Sequence, residues 1–233
     1  MILAAGRGER LRPLTDRMPK PLIEVGGKAL IVRHLEALAG AGFDRVVVNL
    51  AWLGEQIEQT LGDGSRFGLS IAYSQEPPDA LETAGGIVQA LPLLGDAPFL
   101  MISGDVLCDY PLARLRNRPH QAQGHLVMVD NPDHHPDGDF AIDADQRLVH
   151  GRSTQTFSGI AVLDPVLFAE LPPGRRPLRP VFEQAIALGR LTGEHYSGFW
   201  SDIGTPERLS DAQRRLLAGE DRVATADRKR LHS

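Results

Sequence analysis

The strongest constraint on what this chain can fold into is a rhythm in its first half, where short apolar runs alternate with stretches of helical period. Arg45-Val46-Val47-Val48-Asn49-Leu50 is continuous and β-branched, the pattern of a strand buried on both faces, and Leu69 to Ser74 is a second strand. Pro98-Phe99-Leu100-Met101-Ile102-Ser103 is another apolar run, cut off abruptly by Gly104-Asp105, and Met1 to Ala5 makes a short first strand. Between them, Leu30 to Ala41 repeats apolar residues at helical spacing, with Gly42 as its C-cap. Trp52 to Leu61 is a second helix, and Thr83 caps a third that runs to Leu91. Strands separated by helix-sized segments pair in parallel through right-handed crossovers, which predicts an α/β fold, a three-layer α/β/α sandwich.

After Asp105 the rhythm changes. His125 to Asp130, Asp139 to Ile142, Arg147 to His150 and Thr156 to Leu163 read as strands with little helix between them. The sheet is therefore mixed, or a β-rich insertion covers the site. Pro165 to Leu171 and Leu178 to Leu188 read as helices, and Thr205-Pro206 supplies the N-cap and first position of a helix through about Ala218. One domain is expected over residues 1–218, with halves 1–110 and 111–218, followed by a charged tail from Gly219 to Ser233 that frays.

With 233 residues the chain can bury one substantial core. Its net charge of −5 argues against broad binding to nucleic acid or to an anionic membrane, while leaving room for a local basic pocket. The single cysteine, Cys108, excludes an internal disulfide and a multi-cysteine zinc site, and is expected to be a small buried apolar residue. No secretory leader and no membrane-length apolar run is visible, so the expected location is the cytoplasm.

The first strand breaks into Ala4-Ala5-Gly6-Arg7-Gly8-Glu9-Arg10-Leu11-Arg12-Pro13-Leu14-Thr15, followed by Pro19-Lys20-Pro21. Glycines let backbone amides approach a phosphate, and the cations beside them can neutralise it. A Walker loop is excluded, because no Lys-Ser or Lys-Thr follows Gly8, and a dinucleotide fingerprint is excluded by Pro13 where a helix would open. Leu3 to Thr15 with Pro19-Lys20-Pro21 resembles the signature of the sugar-1-phosphate nucleotidyltransferases, with every fixed element in order. The resemblance extends over about residues 1–218 and implies a Rossmann-like, GT-A-type sheet, mainly parallel and mixed.

Two distant aspartates complete the resemblance. Gly104-Asp105 stands at the end of a buried strand, where open α/β sheets bind ligands, and Trp200-Ser201-Asp202-Ile203-Gly204-Thr205-Pro206 resembles the family's second metal element. The resemblance implies Mg²⁺ held by Asp105 and Asp202, hard oxygen donors that suit it. It gives the nucleotide Ala4, Ala5, Gly6, Gly8, Glu9, Arg10, Lys20 and Asp105, together with Thr83, Gly85 and Gly86 of a base-reading segment in which Glu82 replaces the usual glycine. Gly138, Asp139, Ser158 and Gly159 are implied on the sugar-phosphate side. The family's Glu-Lys-Pro element is missing before Thr156, so either another cation, with Arg152 nearest in sequence, or the metal and backbone hold that phosphate. His134 and His135 read as part of a polar loop over the sugar, since adjacent histidines point apart and no third ligand is spaced to help.

The implied reaction is in-line attack of a sugar 1-phosphate oxygen on the α-phosphorus of an NTP, releasing pyrophosphate. Lys20 contacts both reacting phosphates, Arg10 holds the leaving group, and Arg10, Lys20, Asp105 and Asp202 are the catalytic set. Asn131-Pro132 to Phe140, Leu81-Glu82-Thr83 and Asn49 to Gly54 narrow the resemblance to the branch that joins UTP to N-acetylmuramate 1-phosphate in peptidoglycan recycling. Mannose-1-phosphate guanylyltransferases and choline-phosphate cytidylyltransferases are alternatives within the same chemistry. A glycosyltransferase would show Asp-x-Asp where this chain has Asp105-Val106-Leu107. A non-catalytic nucleotide-sensing subunit is disfavoured by retention of the four charged residues.

Overall fold

A computed structural model describes residues 1–116, 122–151 and 154–216. Its central sheet has seven strands: β1 (Ile2–Leu3), β4 (Arg45–Leu50), β5 (Ser70–Gln75), β6 (Phe99–Ser103), β8 (Gly124–Val129), β11 (Thr156–Leu163) and β12 (Leu191–Tyr196), in the order β12-β8-β11-β6-β1-β4-β5. Only β11 runs against the others. Short ribbons pair β2 (Glu24–Val25) with β3 (Lys28–Ala29), β7 (Val106–Cys108) with β13 (Trp200–Asp202), and β9 (Ala141–Ile142) with β10 (Leu148–Val149). The mixed-sheet alternative therefore holds. Most of the β structure after Asp105 extends the main sheet, while β9-β10 and β7-β13 form separate ribbons beside it.

The period-2 alternation of the strands builds the layers. Val46, Val48 and Leu50 of β4, with Leu100 and Ile102 of β6, face Ile31, Leu35 and Leu38 of α1 (Leu30–Gly40) and Ile57 and Leu61 of α2 (Gly54–Leu61). Val47, Phe99 and Met101 face the other way, onto Ala84, Ile87 and Ala90 of α3 (Glu82–Leu94) and Val181, Phe182 and Ile186 of α5 (Arg179–Ala187). A short α4 (Ala113–Arg116) and a final helix over 206–216 complete the described chain. Helix α1 ends as its sequence requires. Gly42 takes a left-handed φ of 82° and its N–H reaches Ala39 O, while Phe43 N–H reaches Leu38 O.

Several local expectations change. Thr83 lies inside the first turn of α3, whose N-cap position is Leu81, and no side chain caps it. The buried first-turn amides of Ala84 and Gly85 are served instead by the carbonyl of Arg176, at 3.0 and 3.2 Å. The helix expected from Pro165 shrinks to one 3-10 turn, Pro165–Leu167, because Pro172-Pro173 follow closely and stop helical growth. Strand β12 escapes its sequence because Gly193, Glu194 and His195 interrupt the apolar pattern of an edge strand. Cys108 is half-buried rather than buried, and burial still pushes its thiol up to about 11. The charged tail from Gly219 lies outside the described residues.

His34 sits on the buried side of α1. Burial lowers its pKa from 6.5 to about 4, against the opposing pull of the Asp105 charge and a backbone bond to Val106. The unfolded chain binds a proton there that the folded chain refuses, so stability falls as the pH drops from about 6.5 towards 4. Thermal melts across that window are expected to show a steeper decline for the wild type than for His34→Gln. Parallel curves would refute the assignment.

Candidate active site

The carboxyl ends of β1, β4 and β6 lie level, with Leu3 opposite both Asn49 and Ser103. A buried polar chain ties this edge together. Ala4 N–H donates to Asn49 Oδ1 at 2.7 Å, Asn49 Nδ2 donates to Glu76 Oε1 at 2.6 Å, and Glu76 Oε2 accepts from Leu81 N–H at 2.8 Å. Above it opens a cavity of about 300 Å³ lined by Ala4, Ala5, Gly6, Gly8, Lys20, Thr83 and Asp105 among others. Gly85 and Gly86 stand behind that wall rather than on it. A Cβ on Gly86 would clash with Glu76 Oε1 and lie 2.9 Å from Asn49 Nδ2, and one on Gly85 would clash with the carbonyl of Gly174. Their small size lets α3 seat against the network and the neighbouring loop. Glu82, where the resemblance led us to expect glycine, does adopt a positive φ of 57° and pairs with Arg175 at 2.9 Å.

The glycine loop is held from one side by Trp52. Its indole N–H donates to Thr15 O at 2.9 Å, the Thr15 hydroxyl donates to Gly8 O at 2.9 Å, and the Arg7 guanidinium lies 4.2 Å above the Trp52 ring. Gly8, with φ 68°, reverses the chain so that the 3-10 turn Glu9–Leu11 follows at once. Glu9 is exposed on that turn, and Arg10 beside it lines the second cavity described below.

The two aspartates meet through a backbone ribbon. Asp202 on β13 lies opposite Val106 on β7, and Ile203 N–H donates to Asp105 O at 2.7 Å. Lys20 Nζ donates to Asp105 Oδ2 at 2.5 Å, with only 12 % of the lysine side chain exposed. Asp202 Oδ1 accepts from Arg208 Nη1 at 3.0 Å and lies 3.2 Å from His134 Nε2. These bonds engage one oxygen of each carboxylate. Two aspartates beside a cavity lined by Gly6, Gly8 and Lys20 fit a hard cation that would keep water and phosphate oxygens as its remaining ligands. Among the described residues no group of three or more His, Cys, Asp or Glu could hold a metal, so a closed protein cage is not formed there.

A second cavity of about 730 Å³ shares Asp105, Glu82, Thr83 and Ser103 with the first and adds Arg10, His134, His135, Ser158, Gly159, Arg179 and Asp202. Strand β11 bulges between Phe157 and Ala161, and Gly159, at φ 82°, brings its backbone against Ser103. The Ser158 hydroxyl accepts from Ile160 N–H, and its carbonyl accepts from Trp200 Nε1. Asp139 is occupied: Oδ2 accepts from Phe157 N–H at 2.8 Å, while Oδ1 takes Arg179 at 3.2 Å and faces His135 at 3.4 Å. Gly138 serves the loop's own turn, since a Cβ there would lie 2.5 Å from Asn131 Oδ1. The two histidines do point apart, each to a different carboxylate. Arg152, the cation nearest in sequence, lies outside the described residues.

A family model described as nucleotidyl transferase matches residues 1–148. The chain belongs to that family. It is 49% identical over 227 residues to the N-acetylmuramate alpha-1-phosphate uridylyltransferase of Neisseria meningitidis, covering 94% of this chain and 97% of the relative. A protein of the same name from Caulobacter vibrioides is 32% identical over 231 residues, covering 93% and 96%. Among solved structures, HddC from Yersinia pseudotuberculosis matches with a TM-score of 0.77 over 92% of this chain and 97% of its own, at 23% identity, a likeness of fold.

Within this nucleotidyl transferase, sequence reasoning missed the mechanical part of Trp52 and the engagement of Asp202 by Arg208. The Asn49-to-Gly54 motif held the residue, but its partners Thr15 and Arg7 are distant in sequence and gave no local signal of the clamp. If the clamp holds the loop in shape, Trp52→Ala is expected to raise the nucleotide KM roughly tenfold while the sugar-phosphate KM moves little, and Trp52→Phe, which keeps the ring under Arg7, to restore part of it. Steady-state kinetics in both substrates check this. An equal rise in the two KM values would refute it.

Proposed function

We propose that this chain transfers UMP from UTP to N-acetylmuramate 1-phosphate, giving UDP-N-acetylmuramate and pyrophosphate in peptidoglycan recycling, in the cytoplasm where UTP is available. The observation that supports this most is the Lys20–Asp105 pair placed where the two cavities join, in a chain that matches the Neisseria relative along nearly its whole length. Among the described residues no helix is long and apolar enough to cross a membrane.

The chemistry follows from charge. The attacking oxygen belongs to a phosphate that is already an anion, so no general base is needed. It forms a bond to the α-phosphorus as the bond to the bridging β-oxygen breaks, and pyrophosphate leaves with that electron pair. Lys20, paired with Asp105 in the free protein, turns its ammonium to the two reacting phosphates, where a preformed charge acts without reorganising solvent. Amides of Gly6 and Gly8 line the triphosphate, and Arg10 holds the departing end. Mg²⁺ on Asp105 and Asp202 would supply Lewis acidity and a template. The protein's own contribution is alignment: the rigid β7-β13 ribbon sets the aspartates and the clamped loop sets the amides.

Removing one charged contact from a phosphoryl-transfer site costs about two to five orders of magnitude in rate. Lys20→Ala and Asp105→Asn are both expected in that range with the circular dichroism spectrum retained, and chelation of divalent cations is expected to stop pyrophosphate release. Near-normal release by either variant would sink the mechanism. The substrate reading is tested separately, by pyrophosphate release from each of four NTPs with N-acetylmuramate, N-acetylglucosamine, glucose and mannose 1-phosphates. UTP with the first sugar is expected to be preferred. A preference for GTP with mannose 1-phosphate would replace the reading with the guanylyltransferase alternative.

A further inference from the structure

Strands β8 and β11 part company beside the second cavity. Val129 pairs with Thr156, and continuing that antiparallel register would set Asn131 opposite Thr154. The backbone ladder stops instead. The chain leaves as the loop 131–139 and returns where Phe140 pairs with Gln155. The Asn131 side chain fills the place of the missing rungs. Its Nδ2 donates to Pro136 O at 3.0 Å and to Thr154 O at 3.1 Å, while its Oδ1 accepts from the Thr156 hydroxyl at 2.9 Å. One amide thus ties the start of the excursion to its far turn and to the facing strand.

The loop is shaped around that amide. Two turns follow each other, with His135 N–H donating to Pro132 O at 2.8 Å and Gly138 N–H to His135 O at 3.2 Å. Gly138, at φ 60°, closes them with its Cα against the amide, and the Thr154 hydroxyl donates to Asp137 O. Asn131 is half-buried and is not on the wall of the second cavity, whereas His134, His135 and Thr156 all line it. Two carbonyls call for two N–H donors on one nitrogen, and the hydroxyl calls for an acceptor on the same planar group. Among side chains of this length only a carboxamide offers both.

We propose that Asn131 is a positioning residue for the sugar phosphate, its amide holding loop 132–138 in the shape that makes His134 and His135 part of the sugar-side wall. It touches neither substrate. The proposal rests on the reading that the second cavity receives the sugar 1-phosphate. Asn131→Asp is the sharp test. It keeps size and shape while turning a carboxylate oxygen towards two carbonyls, which are left without a donor.

The experiment measures the steady-state KM for N-acetylmuramate 1-phosphate and, separately, the Kd of UTP by calorimetry without sugar. In Asn131→Asp the sugar KM is expected to rise about ten- to 100-fold, while the UTP Kd stays within about twofold of the wild type. Asn131→Ala, which removes the bonds without adding a charge, is expected to move the same constant by a smaller factor and stands in if the aspartate variant does not fold. Replacing His134 and His135 together with alanine is expected to raise the sugar KM too. Adding Asn131→Asp to that pair is then expected to change it little, since one loss already contains the other. A sugar KM unmoved by the Asn131 variants or by loss of both histidines overturns the proposal, as do losses that multiply in the triple variant. So does a UTP Kd that weakens in step with the sugar KM, the mark of a general structural role. A wild type that prefers another sugar 1-phosphate overturns the substrate reading alone, and the same ratios are then read on that sugar. A wild type that turns over no sugar 1-phosphate overturns the reading of the cavity itself.

Discussion

The hydrogen bond from Asn49 Nδ2 to Glu76 Oε1 fixes the edge on which everything else is mounted. One amide, buried at the end of β4, receives the chain leaving β1 and grips the chain leaving β5, so three neighbouring strand ends stop at a common level. A buried carboxylate is tolerated there because two donors meet it, and the same oxygens leave no space for a side chain on Gly86. The helix, the glycine loop and the wall of the first cavity thus take their positions from a polar contact inside an otherwise apolar sheet. Replacing either partner alone would strand the other without a mate, a larger cost than the bond itself contributes.

Above this edge the charges are arranged in mutually neutralising sets. Lys20 faces Asp105, Arg208 faces Asp202, and Arg179 faces Asp139. Each set balances itself before substrate arrives, which lets a chain of net charge −5 hold several cations close to a cleft that is to receive polyanions. The side chains are already oriented before any ligand binds, which limits what has to reorganise when one does.

Much of this was legible in the sequence. Continuous β-branched runs such as residues 45–50 report burial on both faces, and burial on both faces requires helices above and below. Gly104-Asp105 and the segment around Asp202 could be singled out by their resemblance to family motifs, and the fold does bring the two segments together. What could not be read were features that depend on long-range partners. Nothing local to Ala84 and Gly85 says that Arg176 supplies their acceptor, and Thr83 offered a more obvious cap. Strand β12 owes its place to the β8 edge rather than to its own residues, Leu191 to Tyr196. Gly85, Gly86 and Gly138 were readable as small, though whether a small residue faces the ligand or lets two backbones touch is decided by the partner across the gap.

The loop that carries Arg176 has a mechanical consequence. Its carbonyl holds the first amides of α3, its N–H returns to Leu81 O at 2.8 Å, and Arg175 beside it pairs with Glu82. A few residues further on, the same stretch of chain enters α5 and presents Arg179 to the sugar-side cavity. The wall of one cavity is therefore stitched to the wall of the other. Pulling the loop outward would break the backbone bonds that close the helix, so a displacement at the wall of one cavity would strain the wall of the other.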